Sequence, residues 1–337
     1  MLINIALDAM GGDNAPQAAC EGAVEALKEF GDIAVTLFGK QEEIQKYIPE
    51  NEPRLTVVDC PEEIPMDEEQ PMLAARRMKQ SSMVMAVNAV KEGRCAAFVS
   101  AGSTGAIMAC GILYARRIKG IDRPAIATML PGSTHPFLLI DSGANVDCSP
   151  ANLNQFALMG CTYMEKVAGV EKAVAGLVNN GTEDCKGNQQ TKEAHQLMKA
   201  QDQYEFYGNL EAREIPFSPC NVVACDGFVG NVILKYTEGL AKALTGMLKE
   251  TIMESGTRAK LGGLLLKPAL ATFKKKMNAD EYGGAPLLGV NAPMIKAHGS
   301  SNATAFKNAL RQAKLMVETN VTDTIRTALE KLAEPEA

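Results

Sequence analysis

Six short segments of the chain gather the residue types that handle anions. They are Asp8-Ala9-Met10-Gly11-Gly12-Asp13-Asn14, Ser100-Ala101-Gly102-Ser103-Thr104-Gly105, Asp141-Ser142-Gly143-Ala144-Asn145-Val146-Asp147, Asn179-Asn180-Gly181-Thr182-Glu183-Asp184, Asp226-Gly227-Phe228-Val229-Gly230-Asn231 and His298-Gly299-Ser300-Ser301-Asn302. Glycine lets main-chain amides approach a ligand closely, and a helix starting behind such a loop offers unpaired N–H groups. The same residues are ordinary turn and N-cap formers, so one such segment alone signals only a loop. Six of them, each following an apolar strand-like run, point to an anion-binding cleft at the carboxyl ends of strands.

The elements that must position these loops repeat as strand, polar loop, helix. Strands are expected at Leu2–Asp8, Ile33–Phe38, Leu55–Val58, Ala96–Ser100, Ala125–Leu130, Phe137–Ile140, Ala173–Val178, Tyr204–Tyr207 and Val222–Cys225. Helices are expected over Pro16–Phe30, Met72–Glu92, Ala106–Lys119, Asn152–Val167, Gln189–Ala200, Asn231–Glu254 and Ala303–Leu332. Apolar strands alternating with helices predict an α/β fold of three layers, with a central, mostly parallel sheet covered on both faces. No Ser/Gly/Pro linker or fixed-period repeat interrupts the pattern, so 1–337 reads as a single large α/β unit. The helices Met72–Glu92 and Ala106–Lys119 are rich in Met and Ala on more than one side, which fits burial between layers or against a second subunit.

The 337 residues are 46% apolar and 22% charged, ordinary for a globular chain able to bury a large core. A formal charge of −6 and the absence of Trp argue against nucleic acid as a partner. Nine scattered cysteines without a C-x-x-C read as reduced thiols in a cytosolic protein. The N-terminus lacks a basic region and meets Asp8 early, so it reads as a first strand, not a signal peptide. Cys95–Ala115 is uncharged and long enough to span a bilayer, but Gly102-Ser103-Thr104-Gly105 breaks it into a strand, a turn and a helix. Neither a dinucleotide fingerprint, a P-loop nor a G-x-S-x-G elbow occurs. His135, His195 and His298 are far apart and none has a ligand partner at metal spacing, so no cofactor and no metal are expected.

The six segments, with Gly120-Ile121-Asp122-Arg123-Pro124-Ala125, Lys186-Gly187-Asn188 and Lys296-Ala297, are similar to the bacterial phosphate acyltransferases of phospholipid synthesis. The resemblance covers nearly the whole chain, in order. It implies transfer of a long-chain fatty acyl group from acyl-[acyl-carrier protein] to inorganic phosphate, giving acyl phosphate. It also implies a fold similar to the isocitrate/isopropylmalate dehydrogenase and phosphate acetyltransferase group. Asn14 and Ser103 stand where relatives can carry His and Asn, so no proton-transfer role is assigned to position 14. A short-chain enzyme using acyl-CoA, a dehydrogenase on the same scaffold, and a non-catalytic lipid- or carrier-binding protein are the competing readings.

Acyl transfer to phosphate asks little of a base. Phosphate is already anionic and the leaving thiolate has an intrinsic pKa of about 8.5; the protein must supply position and donors for the oxyanion. Lys186, His298, Asn231 and Asn180 are the candidate catalytic residues. Asp8, Gly11, Gly12, Gly102, Ser103, Thr104, Gly105, Asn145, Gly181, Thr182, Asp226, Gly227, Ser300 and Ser301 are the candidate substrate- and phosphate-binding residues. The aspartates, repulsive to an anion unless paired, read as loop organisers more than acids or bases, and His195 as inert.

A different feature lies at 240–277, where a protruding amphipathic helical hairpin is expected. Between Ser255 and Met277, Leu261, Leu264, Leu265, Leu266, Leu270 and Phe273 mix with Lys260, Lys267, Lys274, Lys275 and Lys276, and Pro268 should bend the segment. Basic amphipathic stretches lie on anionic bilayers; packing on a partner is the alternative. With the resemblance, Leu261, Leu264, Leu265 and Lys267 become the expected membrane contact of a cytoplasmic, peripherally membrane-associated homodimer. Its other implied partner is the downstream membrane glycerol-3-phosphate acyltransferase.

Overall fold

The computed structural model describes residues 2–276 and 282–333. Its strands are β1 (Ile3–Asp8), β2 (Ile33–Gly39), β3 (Leu55–Asp59), β4 (Ala97–Ser100), β5 (Ala125–Leu130), β6 (Phe137–Ile140), β7 (Val174–Asn179), β8 (Glu205–Glu211), β9 (Val222–Ala224), β10 (Ala285–Leu288) and β11 (Met294–Lys296). They form one sheet in the order β3-β2-β1-β4-β11-β10-β5-β6-β9-β7-β8.

The first five strands of that order are parallel to one another. So are the last four. Between the two sets, β11–β10, β10–β5 and β5–β6 pair antiparallel, so the second set runs opposite to the first. The carboxyl ends of β4 and β11 therefore approach the antiparallel centre from one side, and that of β6 from the other.

Alternation along buried strands produces the three layers. Ile5 and Leu7 of β1 pack with the helices α1 (Gln17–Glu29) and α10 (Ala303–Glu318) on one face. Ala6, Phe38 and Phe98 point to the other face, against Met83, Val84 and Val87 of α4 (Ser82–Lys91). The second half repeats the scheme. Leu138, Ile140 and Val222 meet Phe156 and Ala157 of α6 (Pro150–Lys166), whereas Leu139 and Val223 meet Val229, Ile233 and Leu234 of α8 (Gly227–Glu254). The mostly parallel, doubly covered sheet is the one expected from sequence.

Three expected helices are interrupted. Met72–Glu92 divides into α3 (Pro71–Arg77) and α4, and the Ser81 hydroxyl donates back to the Met78 carbonyl at 2.7 Å in the break. Ala106–Lys119 becomes α5 (Thr104–Cys110) and a π-turn over Gly111–Ala115 that stops at Arg116, φ 64°. The last helix turns at Asn320, φ 49°, an asparagine in the left-handed region, to give α10 and α11 (Val321–Ala333). β10 and β11 were not expected at all: they are four and three residues long and β10 contains Pro286.

The expected hairpin is present as α8 followed by α9 (Gly256–Lys276). α9 continues through Pro268 as one helix where the sequence suggests a bend. Met277, the end of the basic amphipathic segment, lies outside the described residues. Among the described residues no helix is long and apolar enough to cross a membrane, and the uncharged Cys95–Ala115 stretch is β4, a turn and α5 with its π-turn.

Candidate functional site

A cavity of about 610 Å³ opens at the antiparallel centre of the sheet, within the size range of small-molecule sites. Its polar end receives one loop from each strand end that faces it. Thr104 follows β4, Ser142 and Gly143 follow β6, Lys296, His298 and Ser300 end and follow β11, and Asn231 comes from the first turns of α8.

Each loop is fixed from beneath. After β1, the buried Asp8 carboxylate accepts from the Ser100 hydroxyl at 2.7 Å and the Met10 N–H at 3.2 Å. Ser100 in turn accepts from Gly102 N–H at 2.9 Å. Burial holds the Asp8 carboxyl above its ordinary range despite hydrogen bonds from Ser82 and Ser100. Gly12, φ +101°, lies so close to the carbonyl of Gly299 that a Cβ there would stand 2.9 Å from it. Asp13 N–H donates to Gly299 O at 2.8 Å, and the Asn14 amide donates to the Ser300 and Ser301 carbonyls. The first loop thus carries the last one, which presents His298.

After β6, Asp141 is fully buried and its carboxylate takes backbone N–H bonds from Ile126, Gly143, Ala144 and Asn145, plus the Asn145 side chain at 2.9 Å. Burial nevertheless keeps its pKa above the usual carboxylate value. Gly227 N–H donates to Asn145 O at 2.7 Å, and Gly230 crosses the Asp141 carbonyl where no side chain fits. Asp226 caps α8 by accepting from Val229 N–H at 2.8 Å. Asn231 thereby reaches the cavity beside Gly143.

His298 is exposed to the cavity, with Nδ1 3.2 Å from the Ser300 backbone N–H and 2.8 Å from its hydroxyl. A backbone N–H can only donate, so Nδ1 is the acceptor and the neutral ring carries its proton on Nε2. Nε2 is then a donor available to a substrate oxygen or sulfur. Lys296 stands largely buried at the end of β11; burial lowers its pKa from the ordinary lysine value, and the neighbouring Lys235 of α8 adds to the shift. Lys235 pairs with Glu238 at 3.1 Å.

The rest of the cavity is long and mixed in character, with Thr237 and Lys242 among its lining residues. Asn231, Leu234, Lys235, Glu238, Ala241 and Thr245 lie on one face of α8 and line it. Fourteen residues of helix separate the first from the last, about 21 Å at 1.5 Å per residue. Ile126, Thr128, Met129 and Leu130 of β5 lie opposite, and Leu244 and Phe273 stand near the hairpin end.

Of the residues singled out in the sequence, Thr104, Asn231, His298 and Ser300 meet in this lining. Asp8, Gly11, Gly12, Gly102, Ser103, Gly105, Asn145, Asp226, Gly227 and Ser301 lie in the loops that support it. Ser103 caps α5 by accepting from Ala106 N–H at 3.2 Å, Gly11 and Gly102 pack on Ser100, and Gly105 packs against Pro71. Asn180, Gly181, Thr182 and Lys186 sit in the β7 loop, outside the lining; Lys186 is exposed, its stem packed over Gly181. Leu261, Leu264, Leu265 and Lys267 are exposed on α9. Lys235, Glu238 and Lys296 were not singled out. Lys296 belongs to a strand too short to recognise, and Lys235 reads as one more polar residue on a long helix until its face is known. Among the described residues, no group of His, Cys, Asp and Glu is arranged to hold a metal ion.

Comparison with known proteins agrees over the full length. A family model described as "Fatty acid synthesis protein" matches residues 3–324. A phosphate acyltransferase of Clostridium botulinum (strain Loch Maree / Type A3) is 48% identical over 332 residues, covering 98% of each chain. One from Bacillus cytotoxicus is 48% identical over 330 residues, covering 98% of this chain and 99% of the relative. Among solved structures, the EutD phosphotransacetylase from Staphylococcus aureus shares the fold with a TM-score of 0.61 at 13% identity, covering 94% of both chains. By sequence along nearly its whole length, this chain belongs to the phosphate acyltransferase family.

Proposed function

We propose that the protein transfers a long-chain acyl group from an acyl-[acyl-carrier protein] to inorganic phosphate, yielding acyl phosphate for phospholipid synthesis. The observation that carries this reading is the long cavity, where hydrogen-bond donors gather at the meeting of the strand loops. Along about 21 Å of α8 runs a mixed wall in which Leu234, Ala241 and Leu244, with Ile126, Met129 and Leu130 opposite, share the lining with Lys235, Glu238, Lys242 and Thr245. An extended chain advances roughly 1.2 Å per bond, so that wall matches an acyl chain of some sixteen carbons and far exceeds an acetyl group.

In this mechanism a phosphate oxygen attacks the thioester carbonyl. The new C–O bond forms, the C–S bond breaks, and the electron pair leaves on the carrier's thiolate. His298 Nε2 and the Asn231 amide are the donors for the developing oxyanion, and the Thr104 hydroxyl orients the phosphate. No group on the protein has to remove a proton from phosphate.

The same reading makes the protein a homodimer in the cytoplasm that touches anionic membrane through α9. There it hands acyl phosphate to a membrane glycerol-3-phosphate acyltransferase. The continuous sheet supports treating the chain as a single unit with a projecting hairpin. The test is phosphate-dependent release of free thiol from palmitoyl-carrier protein, compared with palmitoyl-CoA and acetyl-CoA. Release only from acetyl-CoA, or release that ignores phosphate, overturns the reading; faster turnover of palmitoyl-CoA overturns the carrier assignment alone.

A further inference from the structure

Three lysines, Lys235, Lys242 and Lys296, line the cavity with one carboxylate, Glu238, and Lys235 is the one whose charge bears on Lys296. Lys296 projects from the end of β11 into the lining, and among the described residues its ammonium makes one hydrogen bond, a long one of 3.5 Å to the carbonyl of Ala297. Among the described residues no carboxylate lies within ion-pair distance of it. Lys235 reaches the same wall from α8 but is engaged by Glu238 at 3.1 Å.

A largely buried ammonium with no ion-paired carboxylate, beside a second ammonium and with only the longer-range attraction of Glu238, is costly in free energy. An anion seated between the two removes that cost. The surroundings suit an oxyanion with several acceptor oxygens: the Thr104 hydroxyl, the Asn231 amide and His298 all line the same end. The exposed Lys186, in the β7 loop, is not part of this arrangement.

We propose that Lys296 and Lys235 together hold the inorganic phosphate that accepts the acyl group, with Glu238 occupying Lys235 until phosphate arrives. The inference rests on the acyl-transfer reading above and deepens it. Phosphate enters between the lysines, Lys235 turns from Glu238 to the anion, and an oxygen is left pointing at the thioester carbonyl. Phosphate chemistry could also reach the cavity on the donor, as the phosphodiester of its pantetheine arm; the two sources separate kinetically.

The experiment uses Lys296→Met, which keeps the length of the side chain without its charge, and Lys296→Arg, which keeps the charge. In the wild type, inorganic phosphate should raise Tm in a dose-dependent way. Lys296→Met should abolish that rise and lower kcat/KM for phosphate about 10- to 100-fold, leaving the KM for acyl donor within twofold. Lys296→Arg should restore part of both. An unchanged phosphate KM with an unchanged Tm response overturns the proposal. So does a raised donor KM with normal phosphate KM, which would assign the lysines to the pantetheine phosphodiester. Should Lys296→Met fail to fold, Lys235→Met on the helix face provides the same two readouts. A wild type that binds phosphate, loses that binding in Lys296→Met and yet releases no thiol would sink the acyl-transfer reading while leaving the anion site standing.

Discussion

The Ser100 hydroxyl stands between two loops, donating to Asp8 Oδ2 at 2.7 Å while accepting from Gly102 N–H at 2.9 Å. This one oxygen couples the end of β1 to the start of the β4 loop, both wholly buried. Ser100→Ala leaves an N–H and a carboxylate oxygen without their partner. Unsatisfied buried groups cost about 1–3 kcal/mol, so thermal unfolding should begin measurably lower. A variant as stable as the wild type would mean that water takes the place of the hydroxyl.

Asp8 also makes stability depend on pH. Burial raises its folded pKa above the value of 3.8 it has when solvated, so its protonated form is the one folding favours. Its contribution to stability is complete below that solvated value and is lost as pH rises through the raised one. Asp8→Asn cannot ionise, so whatever its absolute stability, it should gain on the wild type as pH climbs from about 4 upward. Asp141 titrates in both proteins and cancels in the comparison. Denaturant unfolding at several pH values checks this, and parallel curves would refute it.

Lys186 and Lys296 offer a direct contrast. Lys186 is exposed in the β7 loop and Lys296 lines the cavity. Lys186→Ala should reduce kcat/KM for phosphate less than Lys296→Met does, in assays below phosphate saturation. The reverse order would place the β7 loop over the cavity during turnover.

For the carrier, an acidic protein, the surface offers a basic patch. Arg76, Arg77, Lys79, Arg116 and Lys119 are exposed, and the Tyr114 hydroxyl joins their two elements by donating to Ala75 O at 2.7 Å. Arg117 is instead drawn to Asp122, donating to its carbonyl. α3 begins at Pro71, which packs on Gly105 beside the cavity residue Thr104. Reversing Arg76, Arg77 and Arg116 to Glu should raise the KM for acyl-carrier protein and flatten its dependence on salt. Unaltered carrier kinetics would move docking to another face.

The proposed membrane contact can be tested at residues outside the cavity lining. Leu264 and Leu265 are 64% and 76% exposed on α9. Each leucine inserted into a bilayer contributes about 1.5–3 kcal/mol, and each nearby lysine about 1 kcal/mol on an anionic surface. Replacing both leucines with Glu should abolish co-sedimentation with anionic vesicles while turnover in solution stays close to normal. Sedimentation that persists, or a dimer that falls apart, would assign these leucines to another role.

Much of this architecture was legible in the residues. Nine strands could be read as short runs with apolar or aromatic residues, and five of them, β1, β4, β6, β7 and β9, end in the polar, Gly-rich loops that marked the cleft. What escaped reading was the middle. Ala285–Leu288 and Met294–Lys296 are too short for a period to develop, and Gly283, Gly284, Gly289 and Pro286 make the region look like a turn. Yet these strands set the reversal of direction, and with it the choice of which loops face one another. For that reason Lys296 carries no site role in the sequence, only a place in a family-like segment, and Lys235 carries no signal, whereas Lys186 lies in a loop of the right composition.

The place of β11 in the sheet has a consequence for the order of events during synthesis. Met294, Ile295 and Lys296 pair with Phe98, Val99 and Ser100, a contact across more than half of the chain. Until β11 is made, β4 is an open edge, and the cavity lacks Lys296, His298 and Ser300. Elongation proceeds at about 5–20 residues per second, so an incomplete chain spends many seconds with a sticky strand edge and no assembled site. Catalytic competence and protection of the sheet edge therefore arrive together, once β11 has been made, and a chain stopped at the end of α9 should be both inactive and prone to aggregate.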